Sequence, residues 1–245
     1  MTSERKTAIA VGTLFLVAMV ASLLGGGMVG SAVGDASLPA GVMGSQTQLA
    51  AGILLELVNA VAVLLIGVLM LPVLRPHGEN LARGYLGFRT VEAVFCSAIV
   101  IGPLVLLSSS REVAPSGPAA VAAEAVGILA MAQRLAIAGL LVPVFFCLGA
   151  FVLYAALYRT RLLPRTISVW GLVATALVLG MNLAALWVEA PAAVMMALAL
   201  PIILNEIVMG IWLIARGFNG SAPQALDATW GTVAVQSPRT GGLAR

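Results

Sequence analysis

Arg89 and Glu92 stand three residues apart in Tyr85–Val94, YLGFRTVEAV, inside an otherwise apolar run. Residues at i and i+3 share a helix face, so these two charges lie side by side. Glu56, Arg134 and Glu206 are also embedded in or against apolar runs. Amides accompany them: Asn59 follows Glu56 by three residues, Asn205 precedes Glu206, and Asn182 lies in a further run. Ionisable groups in hydrocarbon are costly and need partners or water. Carboxylates in an apolar pocket can bind a ligand, carry a proton or perform acid–base chemistry. A buried ion pair can equally do no more than set how helices are rotated against one another.

Other chemistries lack their residues. His77 is the only histidine and falls in a short connector with Arg75, Pro76, Glu79 and Arg83. That excludes a histidine-based metal cluster and a Ser–His pair. Cys96 and Cys147 fall inside apolar runs and read as small buried side chains rather than as a disulfide or metal site. There is no phosphate-binding loop and no dinucleotide fingerprint. The glycines at Gly25, Gly26, Gly27 and Gly30 lie within an apolar run, where Gly26–Gly30 spells a helix-packing signal. No cofactor and no metal is indicated.

The elements that must carry these residues follow from composition. The chain is 61% hydrophobic and 9% charged, with a mean hydropathy of +1.07. A soluble domain has about 25% charged residues, so lipid is the expected solvent. The apolar runs are long and do not alternate, which selects helices over a barrel. Six spans are expected at about 8–33, 49–74, 81–107, 135–158, 166–187 and 192–215. They form one transmembrane domain over 1–218, followed by a flexible cytoplasmic tail over 219–245 rich in Gly, Ser, Pro and Thr. The fourth span begins uncertainly, because Pro118–Gly127 reads as an amphipathic helix carrying Glu124. Tyr154 and Tyr158 fit an interfacial belt, Trp170 and Trp187 lie near the two interfaces of the fifth span, and Trp212 lies near the end of the sixth.

Basic residues recur on one side: Arg5 and Lys6, Arg75 and Arg83, Arg159, Arg161 and Arg165, then Arg216. The opposite loops offer Arg111, with Arg134 at their edge. This asymmetry predicts both termini in the cytoplasm and explains the net charge of +3 without a nucleic-acid partner. The expected partner is membrane lipid, with a small amphiphilic ligand or a proton as the cargo of any interior site.

Depth sorts the buried charges. At 1.5 Å per residue, Arg89 lies roughly 12 Å, Glu206 roughly 15 Å and Glu92 roughly 17 Å from the cytoplasmic boundary. Glu56 lies roughly 10 Å from the outer one, and Arg134 is nearest that face. Depth therefore pairs Arg89 with Glu206, and Arg134 with Glu56 or Glu92. The resulting cluster of Glu56, Asn59, Arg89, Glu92, Arg134, Asn182, Asn205 and Glu206 holds three glutamates against two arginines. One glutamate is then expected to be protonated, or to be neutralised by a cation or a water-filled cavity.

Three stretches resemble the DUF4386 family of bacterial multi-pass membrane proteins. They are ELVNAVAVLLIGVLMLPVLRPHGENLARGYLGFRTVEAV, LYRTRLLPRTISVWGL and ALPIILNEIVMGIWLIARGF. Their specific letters are Glu56, Arg89, Glu92, Pro164, Arg165, Gly171, Glu206, Trp212, Gly217 and Phe218. The likeness runs from the first span to Phe218 and leaves out the tail. It implies a six-helix integral membrane protein of the bacterial inner membrane, with Glu56, Arg89, Glu92 and Glu206 in a shared core. It implies no activity, since the family is defined as a domain of unknown function. The expectation is an all-α membrane protein with a buried Arg/Glu cluster that is structural or binds a small ligand. The alternatives are a proton- or cation-coupled transporter of a small or amphiphilic molecule, and an intramembrane enzyme using a buried glutamate on a lipid-like substrate.

Overall fold

In hydrocarbon the backbone must pair within its own segment, and every long apolar run of this chain does so as helix. A computed structural model describes residues 3–33, 44–112 and 118–219. Residues 34–43 and 113–117, which fall within expected loops, and all of the expected tail after Asn219 lie outside the described residues. Six stretches are long and apolar enough to cross a membrane, and no strand occurs among the described residues. The protein is an all-α, multi-pass membrane bundle.

The first span is α1 (Ser3–Val33) and the second is α2 (Gln46–Leu74), which ends in a 3-10 turn at Arg75–His77. The third span is two helices, α3 (Glu79–Ala98) and α4 (Ile101–Glu112). The fourth is α5 (Pro118–Ala136), a π-helical segment at Ile137–Leu141, and α6 (Val142–Thr160). The fifth is α7 (Arg165–Ala184) and the sixth α8 (Ala192–Ala215). The fourth span thus starts well before Leu135. Its helix is continuous from Pro118, and the stretch that read as merely amphipathic is its largely exposed outer end.

The six spans close a ring in chain order. α1 packs on α2, α2 on α3, α3 on α6, α6 on α7, α7 on α8, and α8 returns to α1. Two features make the closing seam. At Gly12 a Cβ would stand 2.6 Å from the carbonyl oxygen of Gly210, so only glycine lets α1 and α8 approach this closely. Arg5 then donates to the carbonyls of Leu213, Ile214 and Ala215 in the last turn of α8, where backbone acceptors run short of helical donors. The seam between α1 and α2 rests on Gly25 and Gly52, each placed so that a Cβ would lie 3.0 Å from the other's carbonyl oxygen. It does not use the Gly26–Gly30 spelling, because Gly30 has nothing within 4 Å. A helix buries one stripe, and Gly25 rather than its neighbours falls on it.

The core has two levels. At the end carrying both described chain ends, all six spans contribute to one apolar cluster that includes Phe15, Met70, Tyr85, Leu153, Ala174 and Met209. At the opposite end the cluster draws on the first four spans only, through residues such as Val29, Ile53, Ile99 and Met131. There the outer parts of α7 and α8 are mostly exposed.

Candidate functional site

The polar interior starts from helix α3. Tyr85, Arg89 and Glu92 fall on one stripe at helical spacing, and all three are buried. Arg89 donates through Nε to the Tyr85 hydroxyl at 3.0 Å and through Nη1 to both oxygens of Glu92 at 3.1 Å. Around it stand the rings of Phe15 from α1 and Phe146 from α6, whose centroids lie 5.5 and 5.7 Å from the guanidinium carbon. Gly67 of α2 faces its Cβ, and Glu206 of α8 acts on it through space. Arg89 therefore sits at the centre of the ring, enclosed by four neighbouring spans.

Depth alone suggested that Arg89 pairs with Glu206, and the structure corrects this. Glu92 already lies on the same helix face one turn away, so the pair forms inside α3 and needs no tertiary contact. Glu206 is half-buried and makes no hydrogen bond or ion pair to a described residue. It acts on Arg89, Glu92 and Tyr154 only at a distance.

Toward the opposite end, Arg134 makes a forked pair with Glu56, and its Nη1 also donates to the carbonyl of Ile99 at 3.0 Å. That carbonyl is available for a local reason. In a continuous helix its donor would be the backbone N–H four residues on, but residue 103 is proline and has none. The third span breaks at Ile99–Val100, and the guanidinium of a different span takes the free acceptor. Gly102 permits it, since a Cβ there would meet the backbone of Ala130 in α5. Of the two partners that depth allowed for Arg134, Glu56 is the one taken, and Glu92 is engaged by Arg89.

Asn59 and the Cys96 thiol lie beside each other between the two pairs, where Cys96 is within reach of Glu56 and Glu92. Asn182 is buried but turns back on its own helix, donating to Val178 at 2.8 Å, and joins neither pair. Asn205 donates to the carbonyl of Ile167 at 2.9 Å and so ties α8 to α7, while its own carbonyl oxygen has no partner. The single cluster drawn from depth is therefore two separate ion pairs, with Asn59 and Cys96 near them and Glu206 apart.

Sequence reasoning misplaced Tyr154. It is buried rather than interfacial, its ring lies against the backbone of α7 at Gly171, and its hydroxyl is without a hydrogen-bond partner. Tyr158, one turn on, is the exposed member, with Arg165 stacked over its ring at 5.1 Å. The pairing of Tyr154 with a facing glycine was the available signal, and it became readable only when α6 and α7 were placed together. The Trp212 Nε1 and the Ser168 hydroxyl are likewise buried and unpaired. The unspent polar capacity near the sixth span is thus the Glu206 carboxylate, the Tyr154 hydroxyl, the Asn205 carbonyl and the Trp212 Nε1. Glu56 and Glu92 have theirs committed to arginine.

A family model described as a domain of unknown function, DUF4386, matches residues 10–217, from the first span to the end of the sixth. No curated protein and no solved structure matches the chain.

Proposed function

The chain belongs to the DUF4386 family, and from that premise we propose a division of labour within its polar interior. The Glu56–Arg134 pair holds the second and fourth spans in register, and the Arg89–Glu92 pair balances charge at the centre of the ring. Glu206 is the binding group for a small amphiphilic ligand that carries a cationic or N–H donor head. The observation that carries this reading is the contrast between the three carboxylates within the spans. Two are saturated by arginine, while Glu206 stands half-buried in the sixth span with no hydrogen bond to a described residue. Intramembrane carboxylates without partners mark ligand and ion sites. The Tyr154 hydroxyl, also unpaired, offers a second polar contact beside it. The reading includes a bacterial cytoplasmic membrane with both termini inside, supported by the distribution of arginines along the loops.

A hydrophobic cation tests it. Tetraphenylphosphonium should bind the purified protein saturably in a mild detergent, and Glu206→Gln should weaken that binding about tenfold or more, as loss of a poorly solvated charge partner requires. Equal affinity of the wild type and Glu206→Gln would reject the assignment.

A second reading, coupled transport of such a ligand, has its own support. The third span is broken at Ile99–Val100, the fourth contains a π-helical segment next to Pro143, and the sixth contains Pro201. Interrupted spans beside an interior site characterise transporters. Uptake of the same cation into proteoliposomes, dependent on an imposed pH gradient and lost in Glu206→Gln, is the expected outcome. Binding without gradient-dependent uptake would leave a binding protein and remove the transporter.

A further inference from the structure

A second candidate site lies on the outside of the bundle, where the second and third spans meet the 3-10 turn at Arg75–His77. A groove of about 640 Å³ opens there. Its mouth carries Arg75 and Arg83, and its body is walled by Leu71, Leu86 and Val91, with Gly87 between them. From Arg83 to Val91 the helix rises roughly 12 Å, so the groove runs from the charged end of the hairpin well into the apolar part of the span.

Two observations say what fits it. The charge is matched to an anion. Arg75 and Arg83 both reach the same Oε1 of Glu79, at 2.9 and 2.8 Å, so two positive groups share one negative group and the mouth keeps a surplus of one positive charge. Glu79 also holds the two guanidinium groups side by side, and each engages it through one nitrogen only, with further N–H donors directed elsewhere. The shape is matched to a chain. Apart from its chain neighbours and its own helix backbone, Gly87 has no atom within 4 Å of where its Cβ would be, which leaves an open slot along α3 between larger apolar side chains. In a membrane-spanning helix this slot faces hydrocarbon, and its charged mouth stands at the level where phosphate groups lie. Basic pockets between spans at that level bind anionic head groups.

We propose that this groove is a binding site for one anionic glycerophospholipid, its phosphate held by Arg75 and Arg83 and an acyl chain laid along Leu71, Leu86, Gly87 and Val91. The site is independent of Glu206 and lies on the opposite face of the hairpin from Arg89.

Native mass spectrometry of the full-length protein in detergent, titrated with dioleoylphosphatidylglycerol or dioleoylphosphatidylcholine, tests it. The expected result is a single retained phosphatidylglycerol, preferred over phosphatidylcholine by about tenfold or more for two interfacial arginines. Arg75→Gln with Arg83→Gln should abolish the preference. Gly87→Leu, which leaves every charge in place at an exposed position, should reduce retention of the lipid by filling the slot. Millimolar glycerol phosphate should not displace it, because the chain contributes. Three outcomes would overturn the proposal: no preference in the wild type, displacement by glycerol phosphate, or a Gly87→Leu protein that retains phosphatidylglycerol as the wild type does. The last would reduce the arginines to a general surface charge.

Discussion

Arg134 satisfies two groups to which no other described side chain donates a hydrogen bond, the Glu56 carboxylate and the carbonyl of Ile99. Removing one partner of a buried pair leaves the other charged and alone, which destabilises by about 3–5 kcal/mol. Arg134→Met should therefore lower stability by about that amount in reversible unfolding from detergent, because it strands both Glu56 and Ile99. Glu56→Gln should cost less, since the amide oxygen still accepts from the guanidinium. Equal losses for the two substitutions would show that the Ile99 carbonyl adds nothing. Arg89 differs in kind. Its partner lies on its own helix, so the pair sets a polar point at the ring's centre rather than joining two spans.

At the scale of elements, the interruption of the third span and the placement of Arg134 are one feature. Pro103 takes away the donor that Ile99 would have, and the carbonyl so freed becomes a ligand for the fourth span. Pro103→Ala returns a backbone N–H at that position. The loss caused by Arg134→Met should then shrink by about 1 kcal/mol in the Pro103→Ala background, the net value of one hydrogen bond. A double-mutant cycle measures this directly, and strictly additive losses would uncouple the two residues. Other elements meet by plainer means: Tyr154 lies on Gly171, and Asn205 ties α8 to the backbone of α7.

Across the whole molecule, the ring is only as closed as its last seam. α8 returns to α1 through the Gly12–Gly210 approach and the cap that Arg5 places on the end of α8. Gly210→Val puts a branched side chain where Leu16 and the Gly12 carbonyl already stand at 3.0–3.1 Å. It should lower the apparent Tm in detergent and expose the sixth span to limited proteolysis, while leaving the packing of α1 on α2 intact. Unchanged protease sensitivity would mean that the seam is held by other contacts. The imbalance between a six-span core at one end and a four-span core at the other also belongs to this scale, and Glu206 stands within the six-span part, between Ile202 and Met209.

Hydropathy was enough for the all-α membrane class, the six spans and the inventory of buried charges, because a lipid solvent punishes every ionisable or unpaired group along the chain itself. The i, i+3 spacing likewise put Arg89 and Glu92 on one helix face, since a helix sets its own neighbours, although ranking by depth gave Arg89 to Glu206. The family likeness was readable from the same residues. Tertiary structure alone decided which charge is left over. Depth ranks residues along the membrane normal but says nothing of their rotation about each helix or of the order of helices around the ring. Those two quantities gave Glu56 to Arg134, moved Tyr154 from the interface to the interior, and left Glu206 as the carboxylate without an arginine.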